Sequence, residues 1–466
     1  MNDELIELPD GWCCVMLNDL GELKRGKSKH RPRNDPKLYG NFVPFIQTGE
    51  VARSKGRILK FSKMYSEFGV QQSRIFPQGT ICITIAANIA DTGILGFDAC
   101  FPDSIVGLIT EDKLADPYFI EYFLRTIRED LAQFAPATAQ ANINIEILNK
   151  VVVPLPPLNE QKRIVAKIEE LNDRTQRAKE ALETIPQLCD RFRQSVLAAA
   201  FRGDLTADWR EQNPDVEWKE LTLGDVIKNK PRNGYSPKPV DYPTKVKSLT
   251  LTATTSGTFK PKHFKYIDED IEPTSHLWLT PGDILIQRSN TLDYVGTSAI
   301  YDGNLREFIY PDLMMKIQVI EEKVKIELIH YLLSSQATKE YFKNNATGTA
   351  GNMPKINQQI VMNTPVFIPP IEEQKEIVSL IQQCFTAIDC IQQQYQKAKT
   401  NLDQLNQSIL AKAFQGELVP QDPDDEPASV LLERIRAERE KLNNGKQKSQ
   451  RTSKRKSKTV EEQGVT

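Results

Sequence analysis

The segment Gly21-Glu-Leu-Lys-Arg-Gly26-Lys27-Ser28 has the G-x-x-x-x-G-K-S spacing of a loop that holds nucleotide phosphates on its backbone N–H groups and lysine. Such a loop needs a buried strand before it and a helix directly after it, so that the helix N-terminus faces the phosphates. Here Pro32 and Pro36 follow within a polar stretch without apolar periodicity, and Glu22, Leu23, Lys24 and Arg25 fill the places that small residues should take. A nucleotide-hydrolysing reading therefore stands only as a third alternative, in which Lys27→Ala abolishes nucleotide binding. No G-x-S-x-G, H-E-x-x-H, Gly-rich dinucleotide turn or Asn-Pro-Pro-Tyr step is present, and His30, His263, His276 and His330 lack ligand spacing. Seven cysteines, an odd number without a C-x-x-C pair, argue against a disulfide framework and against zinc. No metal site is expected, and the chain reads as a binder rather than a catalyst.

Charge is where the binding chemistry lies. The net charge is only −2, but it is unevenly placed. Lys24, Arg25, Lys27, Lys29, Arg31, Arg33, Lys37, Arg53, Lys55, Arg57 and Lys60 are opposed in their window only by Asp35 and Glu50. A second window holds Lys228, Lys230, Arg232, Lys238, Lys245, Lys247, Lys260, Lys262 and Lys265 against Asp241. Two such clusters at matching places of a repeated plan fit phosphate neutralisation, which gives sequence-independent affinity with a steep salt dependence. The expected phosphate contacts are Lys24, Arg25, Lys27, Lys29, Arg31, Arg33, Lys228, Lys230, Arg232 and Lys238. Bidentate polar groups near them are the candidates for reading bases: Gln47, Asn88, Gln140 and Asn142 in the first region, and Asn233, Arg288, Asn290 and Asn352 in the second. Gln287 belongs to the same group, and Tyr235 could stack or fill a groove.

These groups are positioned by a duplicated scaffold. PPLNEQKRIV (156–165) recurs as PPIEEQKEIV (369–378), and SVLAAAFRGDL (195–205) recurs as SILAKAFQGEL (408–418) at the same offset. Between these matched ends an unbroken apolar heptad runs through Ile164, Ile168, Leu171, Thr175, Ala178, Leu182, Ile185, Cys189, Phe192 and Val196. Its second copy is Ile377, Ile381, Cys384, Ile388, Ile391, Tyr395, Ala398, Leu402, Leu405 and Ile409. Pro186 sits off this seam and predicts a kink in the first helix. Two equal helices in one chain pair most simply with each other. Antiparallel pairing avoids a return path of about 48 Å along the seam. The expected fold is α+β: two pseudo-twofold-related α/β domains separated by an antiparallel coiled coil of two long helices.

The expected organisation is a first domain over 1–155, a spacer helix over 156–205, a second domain over 206–368, and a second spacer helix with a helical segment over 369–440. A basic disordered tail over 441–466 completes it, with eight Lys or Arg and no acid between Lys441 and Lys458. Strands are expected at 81–85, 105–109, 283–287 and 315–319, and helices at 117–128 and 326–343. At 466 residues, with 39% hydrophobic and 26% charged, the chain can bury several cores and has no run long enough to span a membrane. The start, MNDELIELPDGW, shows no secretory pattern, so a cytoplasmic location is expected.

Leu8-Pro-Asp-Gly-Trp12, the two PP-x-x-EQK openings, AFRGDL, AFQGEL and Pro427-Ala-Ser-Val-Leu-Leu-Glu-Arg-Ile-Arg436 together resemble the specificity subunit of type I restriction-modification enzymes. The resemblance covers nearly the whole chain to about residue 440. It implies a non-catalytic subunit whose two target-recognition domains each read one half of a bipartite asymmetric site in double-stranded DNA, with the coiled coil setting the gap. It also implies partners: two methyltransferase (M) subunits using S-adenosylmethionine, and endonuclease/translocase (R) subunits using ATP and Mg. Methyltransferase contacts are implied on the exposed faces around 159–162 and 372–375 and at the helix ends 201–205 and 414–418. The alternative reading is a coiled-coil adaptor whose two α/β domains bind proteins. Salt-dependent retention by duplex DNA separates the two.

Overall fold

The computed structural model describes residues 8–133, 143–348 and 353–441. Two compact units are formed, 1–180 with 399–466, and 181–398, so the division falls inside both long helical segments.

In the first unit a five-stranded sheet has the spatial order Gly21–Arg25, Ile105–Thr110, Ile81–Thr84, Thr92–Leu95, Gly56–Ile58. A four-stranded sheet runs Lys63–Tyr65, Tyr39–Phe45, Ala99–Cys100, Ile75–Phe76. The central Ile81–Thr84 strand is apolar or small throughout because both of its faces are covered. Alternation sends Ile81 and Ile83 into one core with Phe119 of the Pro117–Thr126 helix, and Cys82 into another with Phe76 and Phe101. That helix starts where Asp116 accepts from the N–H groups of Tyr118 (2.8 Å) and Phe119 (3.3 Å), ahead of a proline at its first position.

The second unit repeats the plan. One sheet runs Arg232–Asn233, Met314–Ile317, Ile284–Gln287, Ser298–Ile300, and another runs Pro239–Val240, Phe264–Ile267, Val246–Leu249, Phe308–Ile309. Ile284 and Ile286 enter one core while Leu285 enters the other. The helix expected over 326–343 is two, Ile326–Ser334 and Gln336–Asn345, because Ser335 is extended (ψ 150°) and its hydroxyl caps the second by accepting from Thr338. In the first unit the 117–128 expectation likewise ends early, at Thr126, and a new short helix begins at Arg128.

The long helices are Leu158–Glu183, Ile185–Arg202 and Ile371–Phe414. In the first unit Lys179 pairs with Asp403 at 2.6 Å, while Ile164 and Ile168 share a core with Ile409 and Ala413, so the helices run antiparallel. In the second unit Arg193 pairs with Asp389, while Val196 and Ala200 share a core with Ile377 and Ile381, again antiparallel. Pro186 interrupts the first helix for one residue; Thr184 keeps helical angles (φ −79°, ψ −20°) and accepts from Leu188, so the chain continues helically. Ile164, Ile168, Ile377, Ile381 and Ile388 are buried, and Leu171, Leu182 and Leu402 are partly so. Phe192, Ile391 and Leu405 depart from the expected seam, being 53%, 46% and 46% exposed. Arg193, Gln392 and Asn406 turn inward in their place, since a 3.6-residue turn drifts from a strict heptad by about 20° per repeat. Thr175 stays on the seam because its hydroxyl donates to the Leu171 carbonyl at 2.8 Å.

His330, on the Ile326–Ser334 helix, is mostly enclosed, and burial lowers its pKa to about 4. The folded state then binds fewer protons than the unfolded one, whose histidine titrates near 6.5. Stability is present above that value and is lost as pH falls towards 4. A full shift of this size is worth about 3 kcal/mol, and residual exposure of the ring reduces it to about 2 kcal/mol. Thermal unfolding of the second unit should thus fall between pH 6.5 and 4, with a shallower slope in His330→Gln. An unchanged slope in the variant would assign the acid sensitivity elsewhere.

Candidate nucleic-acid interface

Gly21–Arg25 is the edge strand of its sheet, with Lys24 opposite Gly107 and Arg25 opposite Val106. The nucleotide-loop spacing is therefore a strand, and its glycines serve close packing. A Cβ at Gly21 would lie 2.2 Å from the Ile109 carbonyl oxygen, and one at Gly26 would lie 2.2 Å from that of Pro102 and 2.5 Å from that of Phe101. The N–H groups of Gly26 and Lys27 already donate to Ile105 (2.9 Å) and Phe101 (3.1 Å).

The second domain uses the same device. Arg232–Asn233 is an edge strand against Met314–Ile317, and a Cβ at Gly234 would lie 2.1 Å from the Tyr310 carbonyl oxygen. Gly234 donates to Met314 (3.1 Å) and Tyr235 to Tyr310 (2.9 Å). Phe101-Pro102-Asp103 and Tyr310-Pro311-Asp312 are thus equivalent turns. Each is a hub for its domain's polar loops. Around the first, Arg25 Nε donates to the Asp103 carbonyl (2.5 Å), Arg33 grips the Asp103 carboxylate (2.8 and 3.0 Å), and Ile46 and Ile85 donate to Cys100 and Ser104. Around the second, the Ser236 hydroxyl donates to Asp312 (2.5 Å), and Arg288 reaches the Asp312 carbonyl (3.3 Å) with Nη1 and that of Leu313 (2.9 Å) with its N–H. Sequence reasoning missed Asp103 and Asp312; the recurring aromatic-Pro-Asp triplet was the available signal.

The basic residues divide into presented and internally held groups. Arg25, Lys29, Arg31, Arg33, Lys228, Lys230, Arg232 and Lys238 are exposed; Lys24 and Lys27 are half-buried. Lys24 pairs with Glu22, and Lys228 lies 3.7 Å from Glu321. Arg31 hooks back to the carbonyls of Ser28 (2.6 Å) and His30 (2.9 Å), which fixes the loop. Asp35 is acidified chiefly by the Lys37 N–H and then by His30, 2.7 Å away. Lys27 has its pKa pulled down first by neighbouring Lys29, a sign of concentrated positive potential. Lys230 and Arg232 line a groove of about 740 Å³ with His276, Trp278, Arg306 and Lys316. Two members of the basic windows face inward instead. Arg57 pairs with Glu169 (3.1 Å) and lies over the Tyr118 ring (4.1 Å), and Lys247 pairs with Glu307 (3.3 Å).

Among the base-reading candidates, Gln47 is exposed at the N-cap of the Thr48–Arg53 helix, where its N–H donates to Glu50 (2.7 Å). Asn88 is exposed in a loop whose Ala87, Asn88 and Ala90 all have positive φ (50°, 52°, 62°), a strained conformation that its surroundings must enforce. Thr84 supplies that enforcement through its hydroxyl, which bonds the Asn88 and Asp91 carbonyls. Tyr235 is 43% exposed and donates to Glu269 (3.1 Å); Asn233 Oδ1 and Arg288 Nε are buried without a protein partner. Asn290 donates to Gln287 (2.6 Å). Gln287 itself is fully buried and bonded to Leu251, Thr254 and Thr255, so it supports the loop and is unavailable to a base. Gln140, Asn142, Asn352 and the basic tail beyond Lys441 lie outside the described residues.

The EQK repeats are anchors more than exposed faces. Glu160, Gln161, Glu373 and Gln374 are all buried. Trp12 donates to Glu160 (3.1 Å), and burial raises that carboxyl's pKa. Trp218 and Thr206 donate to Glu373 at 2.8 and 2.7 Å. Gln161 donates to the Leu114 and Pro156 carbonyls, and Gln374 to those of Lys323 and Pro369. At the helix ends, Phe414 packs on Phe119 and Phe123, and Phe201 and Leu205 pack on the second core. The helix over 428–441 buries Leu431, Leu432 and Ile435 in the first core and pairs Arg436 with Asp19 (2.5 Å).

The described residues thus hold two copies of one domain, each with a basic edge strand and polar loops gathered on a fixed turn. The model of the type I restriction modification DNA specificity domain matches residues 9–187 and 215–400. The EcoKI specificity subunit of Escherichia coli (strain K12) is 27% identical, covering 96% of this chain and 99% of that protein. The StySPI specificity subunit of Salmonella potsdam is also 27% identical, over 93% and 96%. Two solved chains share the fold at 18% identity. One comes from work on complex assembly and conformational transition of a type I system (TM-score 0.66, covering 88% of this chain and 99% of that one), and the other is the HsdS subunit of Thermoanaerobacter tengcongensis (0.59, covering 90% and 100%). The chain belongs to the type I restriction-modification DNA specificity family, and its function is DNA sequence recognition as the specificity subunit of such a system. Among the described residues no helix is long and apolar enough to cross a membrane.

Proposed function

We propose that each domain reads one half of a bipartite, asymmetric duplex target and that the paired helices set the gap between the halves. The observation that carries this reading is the twice-built hub, in which Gly26 and Gly234 press a basic edge strand onto Phe101-Pro102-Asp103 and Tyr310-Pro311-Asp312. Lys27, Lys29, Arg31, Arg33, Lys228, Lys230, Arg232 and Lys238 hold phosphates and position the domains. Asn88, Tyr235, Arg288 and Asn290, on loops tied to the hubs, and Asn233, at the end of the edge strand, supply base discrimination of about 1–3 kcal/mol per bidentate contact. Two methyltransferase subunits act on adenines within the target with S-adenosylmethionine, and the restriction subunits use ATP and Mg; these cofactors belong to the partners. Within 159–162 and 372–375 the surfaces left for methyltransferase contact are Asn159, Lys162, Glu372 and Lys375, since the Glu-Gln pairs are internal.

Duplex binding by the assembled complex should weaken steeply with salt, with a log–log slope of about −0.9 per neutralised phosphate. Lys27→Ala with Lys29→Ala should make the slope shallower by about 2. Binding indifferent to DNA and salt would favour the adaptor instead. Adding one heptad to both long helices, about 10 Å, should widen the gap by roughly three base pairs. An unchanged gap in the methylated motif would end the spacing role.

A further inference from the structure

Leu59 is the most exposed large apolar side chain among those described, at 71%, and Phe61 two residues on is 44% exposed. They lie on a loop tip, 59–62, between strands Gly56–Ile58 and Lys63–Tyr65, with exposed Lys60 between them and exposed Lys63 just beyond. The tip is held at both ends. Gly96 N–H donates to the Ile58 carbonyl (3.0 Å), and the Ser62 N–H (3.0 Å) and hydroxyl (2.5 Å) donate to Glu50. Phe97 meets the Phe61 ring edge-on at 5.2 Å, and the lack of a side chain at Gly96 leaves room for Leu59, where a Cβ would lie 2.8 Å from it. The tip also continues the basic surface: Lys63 lies over the Tyr39 ring (5.2 Å), and the Tyr39 hydroxyl donates to the Arg33 carbonyl (2.9 Å). In the second domain the corresponding tip, after Gly257 and before strand Phe264–Ile267, reads Lys260-Pro261-Lys262-His263, with no large apolar residue.

Resting on the DNA-reading function, we propose that the Leu59–Lys63 tip is a wedge that partly unstacks one base step of the half-site read by the first domain. Two buttressed apolar side chains fill the opened step, and Lys60 and Lys63 hold the flanking phosphates. Apolar wedges between base steps unstack and kink a duplex at a cost that depends on the step's own stacking, so the tip makes the first domain sensitive to the deformability of bases it need not hydrogen-bond. The second domain, with lysines and a proline at this place, lacks the device.

The test uses the complex of this chain with its methyltransferase subunits, and duplexes carrying the methylated motif mapped in vivo, with 2-aminopurine walked through the first domain's half-site. The expected result is a several-fold fluorescence rise at one step, lost in Leu59→Ala with Phe61→Ala, with specific affinity lowered about tenfold. The enhancement at the adenine that the methyltransferase exposes for chemistry should remain as an internal reference. Both side chains are exposed, so the double variant should fold normally. Lys60→Ala should keep the fluorescence and reduce the salt slope by about 1. Specific binding whose fluorescence profile is the same in the wild type and the double variant overturns the wedge while leaving the DNA reading intact. Loss of methyltransferase subunits from the double variant, with stacking unchanged, makes the tip a protein contact and also overturns it. Failure of the wild-type complex to bind the duplex removes the DNA reading and the wedge together.

Discussion

Glu373→Ala should lower the melting temperature of the second unit by about 10 °C, the largest stability effect expected of a single side chain here. Its carboxylate accepts from the Trp218 indole and the Thr206 hydroxyl, and Arg210 Nε lies 3.4 Å away, all around a fully buried group. Truncation strands two neutral donors and a guanidinium. Removing one partner of such a buried charged cluster costs about 3–5 kcal/mol, and a unit of this size loses roughly 2–4 °C per kcal/mol. Glu373→Gln keeps an acceptor and should lose less. Calorimetry on the two variants and on Trp218→Phe gives the check, and a double-mutant cycle should show a coupling of about 1 kcal/mol or more between 373 and 218. Additive losses would mean that the indole bond contributes nothing to anchoring the Ile371–Phe414 helix.

The second large effect falls on recognition. Gly234→Ala places a methyl group about 2 Å from two backbone carbonyl oxygens, those of Tyr310 and Pro311, which have no flexible end to move aside. The edge strand must withdraw, breaking the Gly234–Met314 and Tyr235–Tyr310 bonds and displacing Arg232, Asn233 and Tyr235 together. Overpacking of this kind costs about 1–3 kcal/mol, and if the cost falls on the bound geometry, specific affinity drops by about 10- to 100-fold. Gly26→Ala should do the same to the other half-site. Competition binding with duplexes altered in one half at a time checks it: each variant should lose discrimination in one half and keep it in the other. Equal loss in both halves from either variant would contradict separate reading.

Much of the scaffold was legible in the sequence because a repeat and a heptad report directly on which face is buried. Ile164, Ile168, Ile377 and Ile381 lie where their spacing places them. The middle of the seam was less legible. Phe192, Ile391 and Leu405 satisfy the heptad, yet the helix turn carries them outward and brings Arg193, Gln392 and Asn406 in, a drift that residue type alone does not reveal. The EQK repeat was visible as a pattern, but its Glu and Gln looked like surface residues. Only the tertiary placement of Trp12, Trp218 and the Leu114 and Lys323 carbonyls makes them internal. The basic windows were legible as charge, whereas the inward turn of Arg57 and Lys247 depends on acids from distant segments, Glu169 and Glu307. The hubs went unseen because Asp103 and Asp312 are single acids whose role comes from what folds against them.

The most direct test of separate half-site reading is a single-molecule adenine methylome of cells carrying the gene, lacking it, and carrying a version with residues 1–155 exchanged for those of a relative. The expected result is one bipartite motif that disappears with the gene and, after the exchange, returns with one half altered and the other half and the gap unchanged. A motif altered in both halves, or one untouched by loss of the gene, would contradict the account.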